Sequence, residues 1–487
     1  MNGGAVTRHV PTKTALATGI LLLVSWIVPA GLTAQDVNAG KVAALFKAYD
    51  RRDAPGASVV VISKGRVVYE GGFGSADLEH GIPINATTVF HVGSVSKQFT
   101  AFAILLLEQQ GRLSLDDDIR KHLPDVPDFG PTITLRHLLH HQSGMREHET
   151  LLQMSGISTA DVIETFHILK LVGRQKELDF NPGEDISYSN TGYVLLAQVV
   201  EKVTGMSFRQ WTRENIFVPL SMKDSQFNDS AARVVKDRAC PYYTDERGEI
   251  LKGILSYFFV GSTGLLTTAE DMGKWLGNFD QPKVGSQAIV QKVLFESAKL
   301  KSGEDPGYGY GIGVVRYRNL RAVWHSGHDA GYRAFVAYFP DERFGVAVLS
   351  NFLSIDPSNL GKKIADIYLA DAMSPDVVEP AAPAKDAEES KTNAPFPVAT
   401  QRLGELAGNY WSEELETTYH LLSVNGRLVI RHWRNEDVVL TPTGQDLFEG
   451  NQDWVTGVRF LRDGKGTVTG FRLTGGRVRS LLFKRMG

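Results

Sequence analysis

The chain has a single cysteine, Cys240, in 487 residues. No disulfide can form within it, so the fold rests on its core rather than on crosslinks. Net charge is also small, at −3. That balance excludes a nucleic-acid polyanion as partner and leaves no polybasic patch for a membrane surface. Gly-x-Ser-x-Gly does not occur, which excludes the α/β-hydrolase nucleophile elbow. His-Glu-x-x-His does not occur either, although His137, His140, His141 and His148 gather near Glu147 and Glu149. Without that string the cluster is not read as a metal site. Past the N-terminus, no apolar run reaches the ~20 residues that a membrane-spanning helix needs.

What is present fits a large globular protein, with 43% hydrophobic and 9% aromatic residues. The length accommodates two folded units. Arg8, His9 and Lys13 precede an apolar run, Ala15 to Val28, and Ala30-Gly31-Leu32-Thr33-Ala34 then supplies small residues. This order predicts a secretory signal peptide over 1–34, cut after Ala34. The protein is expected to be exported, periplasmic or secreted, with no stable membrane insertion after cleavage. An uncleaved anchor is the alternative, and the run is short for it.

Ala57 to Ser63 and Arg66 to Glu70 read as a hairpin around Lys64-Gly65. From Val95 to Gln110 the apolar residues Phe99, Phe102, Ala103, Leu106 and Leu107 fall at helical spacing, and Gly111 ends the pattern. Further helices are expected over Thr134–His141, Tyr193–Val203 and Thr268–Phe279. Arg321–His325, Tyr332–Phe339 and Gly345–Ser350 read as successive strands. Strands at both ends with helices between predict an antiparallel sheet closed by both termini, flanked by helices and an all-helical region. This α/β (α+β) unit is expected over 35–373. The proline- and charge-rich stretch 374–400 reads as a linker. Over 401–487, short alternating segments with turns at Asn425-Gly426, Asp463-Gly464 and Gly475-Gly476 predict a small all-β, barrel-like domain.

Three short strings carry the chemistry. Ser94-Val95-Ser96-Lys97 opens the first long helix. Residues three apart share a helix face, so Lys97 points at the Ser94 hydroxyl and can take its proton. Gly93 lets the chain turn, and the helix N-terminus favours negative charge there. In Tyr188-Ser189-Asn190, a phenolate-leaning Tyr188 beside a lysine suits a general base, and the Asn190 amide suits both the lysine and a substrate carbonyl. A second Tyr-x-Asn, Tyr317 to Asn319, falls in a hairpin turn and reads as a decoy. His325-Ser326-Gly327 ends a strand where glycine lets a substrate approach the backbone. The next N–H, of His328, pairs with that of Ser94 as an oxyanion hole. The rival Lys301-Ser302-Gly303 reads as loop.

This ordered set resembles the penicillin-recognising serine hydrolases: class C β-lactamases, DD-carboxypeptidases, D-aminopeptidases and related esterases. The similarity covers Val42 to Ala372 and includes Leu138–Gly144, Asn181-Pro182-Gly183 and Ser262–Thr268. The resemblance implies a β-lactamase/transpeptidase-like fold and a two-step acyl-enzyme reaction. Ser94 would be the nucleophile, with Lys97 and Tyr188 handling its proton and Asn190 positioning the substrate. His325, Ser326, Gly327 and His328 would form the docking strand. The substrate would be an amide or ester, a D-amino-acid peptide or small ester, with no cofactor. A class C-like β-lactamase and a non-catalytic penicillin-binding scaffold are the alternatives. In class C enzymes the third string begins with lysine, which binds a substrate carboxylate; histidine here departs from that, and Arg333 is a candidate replacement cation.

Overall fold

The computed structural model describes residues 1–9, 34–158, 160–374 and 400–487. The apolar run 15–28, the exit segment 30–33 and the linker 375–399 lie outside these residues. Among the described residues, no helix is long and apolar enough to cross a membrane.

The central sheet has six antiparallel strands: β1 (Ala57–Ser63), β2 (Arg66–Phe73), β3 (Gly313–Tyr317), β4 (Leu320–Asp329), β5 (Tyr332–Phe339) and β6 (Phe344–Ser350). Their spatial order is β3-β4-β5-β6-β1-β2, so the first hairpin joins the sheet through the last strand. Pairing of Ala57 with Ser350 through Ser63 with Phe344 makes that seam. Side chains alternate across a strand. Val60 and Ile62 therefore enter one core, with Met272, Trp275 and Leu276 of the helix Ala269–Asp280. Val59 and Val61 enter the other, with Val42, Phe46, Leu360 and Ile364 of the helices Ala34–Phe46 and Pro357–Leu369. Both faces are covered, which is why β1 and β6 read as unbroken apolar runs.

Helices Ser96–Gln109, Leu135–Leu139 and Asn190–Thr204 form the helical side. The first is buried almost all round, and the third ends at Gly205 with φ +72°. The expected helix from Thr134 ends early, at Leu139, because His141 takes a left-handed conformation.

Residues 408–485 close into an eight-stranded antiparallel barrel. Tyr410, Tyr419, Phe448, Phe460, Phe471 and Phe483 fill its interior. It is a packed core rather than a container. It docks on the helical side: the buried Arg146 reaches Glu414 at 2.6 and 2.8 Å, and Tyr419 donates to the Met154 carbonyl at 2.8 Å. Its last hairpin, Val468–Gly475 with Val478–Arg485, turns at Gly476-Arg477 toward the sheet–helix boundary, where the Arg477 N–H reaches Thr150 Oγ1 at 3.3 Å.

Candidate active site

Ser94 lies in a 3₁₀ turn, Gly93–Val95, that runs into the helix Ser96–Gln109. Gly93 has φ +52°, and a Cβ there would come within 2.7 Å of the His328 nitrogen. Glycine is thus required both by conformation and by the approach of β4. Ser94 keeps partial exposure, whereas Lys97 is wholly buried.

The Lys97 Nζ has three oxygen neighbours: Ser94 Oγ at 3.1 Å, Asn190 Oδ1 at 2.6 Å and the Ser262 carbonyl at 2.9 Å. A neutral amine has two N–H donors and one lone pair. Asn190 and Ser262 can only accept at those atoms, so they take the two donors and the lone pair falls to the Ser94 hydroxyl. Burial lowers the Lys97 pKa to about 7, with Arg477 adding to the effect and Glu149, Glu147 and Asp329 opposing it. A substantial neutral fraction exists near neutral pH.

Tyr188 stands beside Lys97 and Ser94. Its ring centroid is 4.7 Å from Lys97 Nζ, and its hydroxyl is close enough to the Ser94 side chain for that group to favour the ionised phenol. Burial pushes the phenol well above its usual range, outweighing Ser94 and the Arg477 charge that favour ionisation. This corrects the expected phenolate character: Tyr188 is a phenol at neutral pH. Asn190 opens the helix Asn190–Thr204, and the carboxylate of Glu147 accepts from the Asn190 and Thr191 N–H groups at 2.6 and 3.4 Å. A carboxylate at a helix N-terminus is favoured by the free donors and the dipole.

β4 brings the third string. His325 Nδ1 lies 2.5 Å from the Ser326 carbonyl and Nε2 lies 3.3 Å from the Tyr308 hydroxyl. A carbonyl only accepts, so Nδ1 carries the proton and Nε2 accepts from Tyr308. Burial, then the Lys97 charge, lowers the His325 pKa to about 4, so the ring is neutral. Ser326 takes part through its carbonyl. A Cβ on Gly327 would lie 1.9 Å from the Val92 carbonyl and 3.2 Å from the Ser94 nitrogen. The strand is thus pressed against the nucleophile turn, with the His328 backbone beside Gly93. Beyond it, Asp329 accepts from Thr263 Oγ1 at 3.2 Å.

Ser94, Lys97, Tyr188, Asn190, His325, Gly327 and the His328 backbone therefore converge. The decoys stand apart: Tyr317 bonds Asp366, and Lys301-Ser302-Gly303 is a surface turn. Arg333 pairs opposite His328 on β5 and donates to the Leu353 carbonyl at 3.3 Å. Besides Lys97, Arg477 from the barrel stands beside Tyr188, its Cζ 5.0 Å from the ring centroid. Sequence reasoning missed Arg477, Glu147, Tyr308 and the Ser262 carbonyl. Ser262 lies in a segment that the family resemblance had marked, but nothing in Gly475-Gly476-Arg477 signals its destination. The four clustered histidines face different partners: His137 Nδ1 accepts from the Thr134 N–H, His140 meets the Tyr308 carbonyl, His141 the Ser189 N–H and His148 the Thr191 hydroxyl.

Comparison with known proteins gives the family. "Protein flp" of Staphylococcus aureus (strain MW2) is 28% identical over 308 residues, covering 62% of this chain and 60% of its own length. A D-aminopeptidase of Gluconobacter oxydans is 26% identical over 304 residues, covering 62% of this chain and 57% of its own. The chain thus spans less than two thirds of the length of these relatives. The octameric penicillin-binding protein homologue of Pyrococcus abyssi superposes with a TM-score of 0.60 at 26% identity, over 91% of this chain and 99% of that one. The Beta-lactamase family model matches residues 42–369, and the chain belongs to that family.

Proposed function

We propose that the protein is a serine acyl hydrolase that opens an amide or ester through a covalent Ser94 intermediate. The observation that carries this is the three-oxygen environment of Lys97, which leaves its lone pair for the Ser94 hydroxyl. Lys97 takes the Ser94 proton as Oγ attacks the carbonyl carbon. The oxyanion is received by the N–H groups of Ser94 and His328. Tyr188, a phenol beside Ser94, protonates the leaving nitrogen or oxygen and recovers a proton from Lys97. Water then attacks the acyl-enzyme by the same route in reverse.

The substrate class we propose is a short D-amino-acid-containing peptide or a small ester. A neutral His325 provides no full charge for a substrate carboxylate, which favours this class over class C-like β-lactam hydrolysis. The D-aminopeptidase relative points the same way. We also propose export, on the strength of the signal-peptide order at the N-terminus. A panel of p-nitrophenyl esters, D-amino-acid amides, D-Ala-D-Ala peptides and nitrocefin, run on wild type and Ser94→Ala, tests the activity. Turnover that survives in Ser94→Ala overturns it. N-terminal sequencing of protein exported from an expressing bacterium tests the cut after Ala34.

A further inference from the structure

We propose that His141 is the positioning residue for Tyr188, holding the tyrosine's loop from both sides and packing against its ring. The proposal rests on the acyl-transfer reading above and adds a component to it. The His141 carbonyl accepts from the Ser187 N–H at 3.0 Å, and its ring Nδ1 accepts from the Ser189 N–H at 3.0 Å. These are the two amides that flank Tyr188 in the chain. The His141 ring centroid lies 4.3 Å from that of Tyr188 and 4.5 Å from that of Tyr308. One residue thus touches Tyr188 through the backbone before it, the backbone after it and the ring. The next residue extends the brace, since the Gln142 carbonyl accepts from the Gly183 N–H at 2.8 Å.

Two unfavourable features sit at this one position. His141 is buried with φ +59°, in the left-handed region that non-glycine residues seldom occupy. Because Nδ1 accepts, Nε2 carries the proton, and that buried nitrogen has no hydrogen-bond partner. Backbone strain kept beside a reacting group points to a job that only this geometry performs. Here the left-handed turn presents a carbonyl and a ring nitrogen from the same residue to one three-residue segment. The arrangement needs a neutral ring, since a protonated imidazole could not accept from Ser189. Burial holds it neutral, with the Lys97 and Arg477 charges adding to the effect.

Three variants separate positioning from bulk. His141→Phe keeps a ring but no acceptor. His141→Gly relieves the φ but offers neither ring nor acceptor. His141→Asn tolerates the left-handed conformation and sets an amide oxygen near the place of Nδ1. The readouts are kcat and KM on the best panel substrate, the rate of Ser94 labelling by a fluorophosphonate, and circular dichroism. We expect kcat and labelling to fall about 10- to 100-fold in the Phe and Gly variants with KM little changed, as for a displaced catalytic group. The Asn variant should recover most of the loss. Full-speed turnover in a folded Phe or Gly variant overturns the proposal, as does an Asn variant no better than Phe. If one variant does not fold, the other two still decide between these outcomes. Wild-type protein that neither labels nor turns over, or labelling that persists in Ser94→Ala, brings down the acyl-transfer reading itself. A dead Ser94→Ala beside an unaffected His141→Phe removes only His141.

Discussion

The guanidinium carbon of Arg477 stands 5.0 Å from the centroid of the Tyr188 ring, so the barrel places a cation at a site otherwise built by the sheet and helices. Its charge also helps to lower the Lys97 pKa. In Arg477→Ala that charge is lost and water enters, and both changes raise the Lys97 pKa. The base works in its neutral form, so kcat/KM rises with pH through a midpoint near the lysine's pKa of about 7. We expect that limb to move to higher pH in Arg477→Ala, with the plateau reached later. A pH–rate profile of the two proteins measures it. A midpoint that stays put or moves down would show that Arg477 does not act on Lys97.

Tyr188 is held as a phenol by burial, which makes it a donor rather than a resting base. Tyr188→Phe keeps the ring against His141 and Lys97 while removing the proton. Turnover should fall about 10²- to 10⁴-fold, the usual contribution of a positioned general acid or base. The loss should be greatest for amides, whose leaving nitrogen must be protonated, and smaller for p-nitrophenyl esters, whose leaving group departs as an anion. Equal losses on both substrates would contradict the leaving-group role.

Much of this site was legible because its signals are local. Ser94 and Lys97 are three apart on one helical turn, and β4 carries glycine at 327 because a side chain there would strike the Val92 carbonyl. Context also separated Tyr188 from Tyr317, since the latter sits beside left-handed Arg318 and Asn319 in a hairpin turn. The sheet was legible through its terminal strands, whose apolar runs reflect burial on two faces. Charge state was not legible. The pKa values of Lys97 and His325 are set by burial among segments distant in sequence, so Tyr188 read as a base although it is a phenol. Arg477 was equally hidden: its hairpin turn was visible, but not the surface against which that turn docks. His141 looked like one of a histidine cluster because the carbonyl and ring bonds that define it reach across to another loop.

Gly327→Ala tests the contact between β4 and the nucleophile turn. Its Cβ would have to displace the Val92 carbonyl, which lies at 1.9 Å, and disturb the Ser94 nitrogen at 3.2 Å. Both parts of the oxyanion hole would shift. A misplacement of about 1 Å costs on the order of 10²-fold in rate, so kcat should drop at least that far. The sheet pairing of β4 with β5 is independent of this contact, and circular dichroism should remain near wild type. Wild-type kcat in a folded Gly327→Ala would place the substrate elsewhere.

The docking of the barrel depends on Arg146, whose side chain is 1% exposed and whose carboxylate partners are Glu414 from the barrel, Asp179 and, at 3.8 Å, Glu177. Glu414→Ala removes the bidentate partner and leaves a buried guanidinium with part of its compensation gone. Loss of one member of a buried pair costs about 3–5 kcal/mol; Asp179 and Glu177 remain, so the lower end is expected. Glu414→Gln keeps acceptor geometry without charge and should fall between. The loss is in docking, so it should appear as an early unfolding transition or as faster proteolysis near the barrel rather than as one lowered melting point. Because the same docking carries Arg477 to Tyr188, Glu414→Ala should also move the acidic limb of the pH–rate profile upward, in the direction of Arg477→Ala. Combining the two substitutions should then shift the limb little further than either alone, since both remove one charge from one place. Additive shifts would mean that Glu414 and Arg477 reach Lys97 by separate routes.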